Sequence, residues 1–127
     1  MTVDIVLSDL RLVYPDLPPR ELSPNARLNR FRQNRAKRRV QDDIIALMLE
    51  QGWPMRPMPQ ADIHVSFGLP DKRVRDMDNL ISSCKAMLDA LKTRVIEDDR
   101  LTQIDVHYSW FSSPRDPQTI IEVKERR

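Results

Sequence analysis

The chain has one cysteine, two histidines and two glycines in 127 residues, and each scarcity closes off a class of function. A single thiol, Cys84, allows no intrachain disulfide, which suits a reducing compartment. One cysteine with two histidines far apart in the sequence, His64 and His107, gives no expectation of a zinc site. Two glycines cannot build a glycine-rich phosphate loop, and Ser82 and Ser83 have no histidine at motif spacing to activate them. No apolar run approaches the roughly 18 residues of a membrane span. The N-terminus has no basic segment followed by a small-residue cleavage site. The expectation is a soluble, cytoplasmic protein that folds as one domain over residues 1–127, long enough to bury a core without staples.

Charge is plentiful and unevenly placed. Twenty-one basic against nineteen acidic residues leave a net charge of only +2. Arg27, Arg30, Arg32, Arg35, Lys37, Arg38 and Arg39 nevertheless crowd one short stretch, with no acid between Glu21 and Asp42. The acids collect elsewhere, at Asp76, Asp78 and Asp89 and in the "EDD" of Glu97, Asp98 and Asp99. A basic arm beside an acidic cluster points to a polyanion partner and a cation site.

Periodicity gives the elements. Residues 2–14, "TVDIVLSDLRLVY", are β-branched and read as a strand or a hairpin. After a proline-rich loop, Ser23 can cap a helix with Pro24 at its first position. That helix should stop at Gly52, with Ala36, Val40, Ile44 and Leu47 on its apolar face. "ADIHVSFGL" (61–69) alternates apolar and polar residues and is the clearest strand. "NLISSCKAMLDALK" (79–92) is an amphipathic helix, and "QIDVHYSWF" and "QTIIEVKER" supply two more strands. The order β-α-β-α-β-β predicts an α+β domain, a small mixed sheet with helices packed on one face. Both histidines fall on the polar side of their strands and read as surface residues, while the Trp and Met of "GWPMRPMP" could stack on a base but read rather as packing or an oligomer contact.

The chemistry concentrates in "RVRDMDNLI" (73–81). If that stretch is extended, Asp76 and Asp78 point to one side with Cα atoms about 6.5 Å apart. Two carboxylates at that spacing can grip a hard divalent cation such as Mg²⁺, which completes its shell with water and phosphate oxygens. The "EDD" turn can return a third carboxylate, and Arg73 and Arg75 would receive a phosphate backbone. Lys85 lies seven residues after Asp78, about two helical turns on, and so shares its face. A plainer reading stands beside this one: acids before a helix cap its free N–H groups and favour its positive end.

"RDMDNLISSCKAMLDAL" followed by "VIEDD" resembles the RusA family of Holliday-junction resolvases of bacteria and their phages. "LSPNARLNRF" is similar to the opening of the phage-type members. The specific motifs are the ordered set of DxDN, K-x3-DAL and DD within residues 73–99, and a looser likeness extends over most of the chain. The resemblance implies metal-binding aspartates at Asp76, Asp78 and Asp99, with Asp98 able to share the last role, and a catalytic lysine at Lys85. Here the sequence departs from the commonest pattern, because the interval from Asn79 to Lys85 is three residues longer. The resemblance further implies a homodimer, dependence on Mg²⁺ with Mn²⁺ as a substitute, and paired nicks across four-way branched DNA. Arg27, Arg30, Arg35, Lys37 and Arg38 would then join Arg73 and Arg75 on the DNA backbone.

Overall fold

The computed structural model describes residues 9–23, 29–71, 77–92, 94–97 and 104–126. Four strands and two helices follow in the order β1 (Asp9–Tyr14), α1 (Arg30–Glu50), β2 (Ala61–Leu69), α2 (Met77–Asp89), β3 (Ile104–Ser112) and β4 (Gln118–Glu125), with a single 3-10 turn at Arg20–Leu22. The fold is α+β, as the periodicity predicts. Among the described residues, no helix is long and apolar enough to cross a membrane.

The sheet has the order β1-β4-β2-β3. β4 runs antiparallel to both β1 and β2, and β3 runs parallel to β2. β1, β2 and β3 therefore point the same way and finish at one edge of the sheet. Although β3 and β4 are consecutive, they are not neighbours. The chain leaves β3, crosses the end of β2 and enters the sheet on its other side. Ser113 N donates to Leu69 O at 2.7 Å at that crossing, and Ser113 Oγ donates to Asp116 O at 2.6 Å. A connection of only five residues, 113–117, is held in shape by these bonds.

Alternation puts Ala61, Ile63, Val65 and Phe67 of β2 on the buried face, and Asp62, His64 and Ser66 on the other. Both helices cover the buried face and share one core with it. Val40, Ile44 and Met48 enter from α1, and Cys84, Met87 and Leu91 enter from α2 and the turn after it. Met48 takes the deeply buried place expected of Leu47, which is half-buried instead. The apolar stripe advances about 40° for every four residues, so it drifts toward position 48 by the last turn.

The two ends of α1 differ in how well the sequence marked them. At the C-terminus Gly52 adopts φ 72, the left-handed region that glycine enters without a Cβ penalty. Trp53 N then reaches Met48 O at 2.9 Å and Gly52 N reaches Leu49 O at 3.1 Å, the paired bonds of a Schellman cap. Trp53 closes this cap from within the core, which bears out packing rather than base stacking for it. The N-terminus corrects the expectation at Ser23 and Pro24. The helix begins at Arg30, and the Asn29 side chain accepts from Arg32 N at 2.8 Å. Ser23 is extended after the 3-10 turn, and Pro24 lies outside the described residues.

Candidate functional site

The segment between β2 and α2 leaves the sheet at the edge where β1, β2 and β3 end. Ligands of sheets with parallel strands gather beyond such carboxyl ends. α2 opens there at Met77, two residues earlier than expected, so Met77 and Asp78 are helical and not extended as the expected side-by-side pairing of Asp76 with Asp78 requires. Asp78 stands exposed in the first turn, where a carboxylate faces the positive end of the helix. Asp76, Arg73 and Arg75 lie outside the described residues, as do Asp98, Asp99 and Arg27.

Lys85 and Asp78 do share α2, but seven residues separate them by about 10 Å along the axis. The Lys85 side chain is 70% exposed, and its ammonium lies 3.8 Å from Asp89, one turn toward the C-terminus. The "EDD" turn starts at the far end of the same helix. Glu97 N donates to Met58 O at 3.1 Å and Met58 N to Val95 O at 2.7 Å, which ties Glu97 beside the start of β2. Asp78 and Glu97 therefore occupy opposite ends of α2. Among the described residues, no group of three or more His, Cys, Asp or Glu is close enough to hold a metal ion.

Arg30, Arg32, Arg35, Lys37, Arg38 and Arg39 are all exposed along α1, which packs against α2. The Arg35 guanidinium stacks 4.7 Å above the ring of Phe31, itself 68% exposed at the start of the helix. An aromatic ring left in water beside a guanidinium gains little for the core but offers a stacking surface. Arg39 reaches an acid among the described residues, Glu21 at 3.9 Å, and an exposed pair of that length holds it only weakly.

A cavity of about 620 Å³ opens between the end of β1, the 3-10 turn and the two helices, with Tyr14, Asp16, Arg20, Arg39, Asp43 and Leu80 on its walls. Tyr14 is mostly covered, and burial first, then the charges of Asp43 and Asp16, push its phenol above the usual range against the pull of Arg39. The hydroxyl stays protonated and can donate into the cavity. Apart from Arg39 in the basic stretch, these residues did not stand out in the sequence, because they come from three separate segments and no motif spacing joins them.

The sheet's open face holds a second surprise. β2 and β3 pair in register, so Asp62 meets Asp105, His64 meets His107 and Ser66 meets Ser109. Arg126 joins the two aspartates, 3.3 Å from Asp62 and 3.5 Å from Asp105. The imidazoles stack with centroids 4.8 Å apart and planes 20° from parallel, and the serine hydroxyls lie 3.1 Å apart. The histidines are exposed, as their positions in the alternation predict, but distance in sequence hid their contact. A signal was present, since both strands carry the same D-x-H-x-S pattern in "ADIHVSF" and "IDVHYSW".

No protein-family model matches the chain, and comparison with curated proteins finds no match either.

Proposed function

We propose that this protein is a metal-dependent, structure-specific endodeoxyribonuclease that resolves four-way DNA junctions by paired nicks. The observation that carries this reading is the position of Asp78. It stands exposed in the first turn of α2, at the edge where three strands end, and α1 with its row of exposed guanidiniums packs against that helix. The ordered DxDN, K-x3-DAL and DD motifs add the resemblance to RusA-type resolvases.

Mg²⁺ needs only one or two protein carboxylates, and the hard oxygens of Asp78 and, two residues earlier, Asp76 suit it. In this reading they hold the ion, with Asp99 and its neighbour Asp98 as the third position of the motif. A divalent ion bound there would supply a Lewis acid and an activated water for displacement at phosphorus. The protein's own groups do the rest. Arg30, Arg35, Lys37 and Arg38 neutralise phosphates along the arms of the substrate, and Arg27, Arg73 and Arg75 extend that track. Lys85 must swing away from Asp89 to reach a phosphate at the Asp78 end, a movement that its long exposed side chain allows. A four-way junction has two-fold symmetry, which a homodimer would match with one site per cut strand.

A second reading has its own support. With Glu97 and Asp78 at opposite ends of α2 and Lys85 drawn to Asp89, the same surface suits a nucleic-acid-binding protein that does not cut, in which Asp78 serves the helix terminus. One assay separates the readings. Labelled four-way, flap and duplex DNA are incubated with the purified chain, with and without Mg²⁺ or Mn²⁺. Symmetric nicks in the four-way junction, only with metal, are expected. Equal cleavage of all three substrates would leave a nuclease without junction selectivity, and salt-sensitive binding without cleavage would establish the second reading.

A further inference from the structure

We propose that His64 and His107 form a two-imidazole chelate for a borderline divalent transition ion (Cu²⁺, Ni²⁺ or Zn²⁺) on the open face of the sheet. The register fixes the pair. His64 and His107 are direct partners on adjacent parallel strands, both exposed, on the face away from the helices. Their rings already lie side by side at 4.8 Å and within 20° of parallel. Metal–imidazole bonds are about 2.0–2.1 Å, so two nitrogens on neighbouring coordination positions sit roughly 3 Å apart. The ring centroids need to close by only roughly 2 Å to bring a nitrogen of each ring to that separation, and both residues are exposed to solvent.

The neighbourhood suits a cation without holding one strongly by itself. Glu122 of β4 lies directly across from His64, and Arg11 of β1 directly across from Glu122. Asp62 and Asp105, one step along the same face, are engaged by Arg126. Asp62 and Asp105 are thus taken up by Arg126, and the imidazole nitrogens are left to do the binding. Two imidazoles with water filling the remaining positions favour copper, nickel and zinc, whereas Mg²⁺ prefers oxygen ligands. This site is therefore separate in chemistry from Asp78, and it lies across the sheet from α2. A bound ion would also tie β3, an edge strand that pairs only with β2 among the described strands, to the body of the sheet.

The test uses the full chain without a histidine tag. Titration calorimetry with NiCl₂ or ZnCl₂, run in excess Mg²⁺ to occupy the carboxylate site, should show one tightly bound ion per chain. His64→Ala and His107→Ala should each lower the affinity by roughly a hundredfold, since a second tethered donor acts at high effective concentration. Asp78→Asn should leave that affinity unchanged. In excess Mg²⁺, added Zn²⁺ should raise the melting temperature of the wild type further and that of neither histidine variant. Cu²⁺ bound to the wild type should show hyperfine coupling to two imidazole nitrogens, a reading that depends on no variant. Coupling to fewer than two nitrogens, or a single histidine variant that binds as tightly as the wild type, would overturn the proposal.

Discussion

Gly68 allows the packing at the end of β2 to be tested by one added methyl group. Its backbone lies outside the left-handed region, so alanine meets no conformational penalty there and any cost is steric. A Cβ at this position would sit 2.8 Å from Phe111 Cζ, 3.0 Å from Phe111 Cε2 and 3.0 Å from Gln118 Cγ. Carbon pairs are most stable at about 3.5–4.0 Å, so all three contacts are repulsive. Phe111 and Gln118 are the register partners of Gly68 on its two sides, and the phenyl ring covers the space that glycine leaves. Overpacking of this kind costs about 1–3 kcal/mol. The half-buried ring can pivot toward water, which favours the lower half of that range. Replacing glycine also returns about 0.4–1 kcal/mol by restricting the unfolded chain. Gly68→Ala should therefore destabilise the protein by about 1 kcal/mol net. In a Phe111→Ala background the ring contacts vanish and Gln118 can yield, so the same substitution should be neutral or stabilising by up to about 0.5 kcal/mol. Urea denaturation of the four proteins closes the cycle, with a coupling of about 1–1.5 kcal/mol expected and m-values unchanged. Equal effects of Gly68→Ala in the two backgrounds would refute the idea that the ring and the glycine form one packing unit.

Three further outcomes follow, two from the proposed function and one from a buried thiol. Asp78→Asn should abolish junction cleavage and keep junction binding, and Mg²⁺ should raise the melting temperature of the wild type more than that of the variant; because Asn keeps the shape and removes only the charge that faces the positive end of the helix, retained activity would mean the residue serves only the helix. Arg35→Ala with Arg38→Ala should weaken DNA binding and flatten the log–log salt dependence by about 0.9 for each phosphate that is no longer neutralised, as read by fluorescence anisotropy between low and physiological salt. Burial pushes the Cys84 thiol from 9.0 up to about 12, so its contribution to stability is complete below about pH 9 and is lost as the pH rises through 12. Melting temperature should accordingly fall more steeply between pH 9 and 11 in the wild type than in Cys84→Ala, and a thiol reagent should label Cys84 only after unfolding.

Much of the fold was legible because one solvent-facing and one buried side leave a period in the residues. β2 shows this best, where Ala61, Ile63, Val65 and Phe67 alternate with polar neighbours and each apolar residue is buried. The stop of α1 was legible for a local reason, since Gly52 is one of only two glycines and a left-handed cap calls for it. Its start was not, because Ser23 and Asn29 are both competent caps and the choice between them depends on where the chain can turn after the 3-10 segment. The place of β4 was also hidden. Sequence order makes β3 its natural neighbour, yet Leu69 and Ser113 direct the chain over the end of β2.

The candidate site divides along the same line. What one element carries can be read from its own residues: the exposed row of α1, and Asp78 at the opening of α2. What two elements make together depends on register and direction, which leave no mark on either segment alone. His64 and His107 illustrate the point, being forty-three residues apart in the chain and in contact only because β2 and β3 run parallel and in step. The direction of α2 acts in the opposite sense. A helix joining two parallel strands must run back along them, so its first turn and the turn that follows it lie at opposite edges of the sheet. Asp78 and the "EDD" segment are close in sequence terms, one helix apart, but that helix is thirteen residues long and spans about 20 Å. Spacing along a helix thus measures separation as readily as proximity. Asp99→Asn is therefore the variant that tests the third carboxylate: full cleavage by it would leave the ion to Asp76 and Asp78 alone, whereas loss of cleavage with DNA binding kept would make Asp99 part of the metal site.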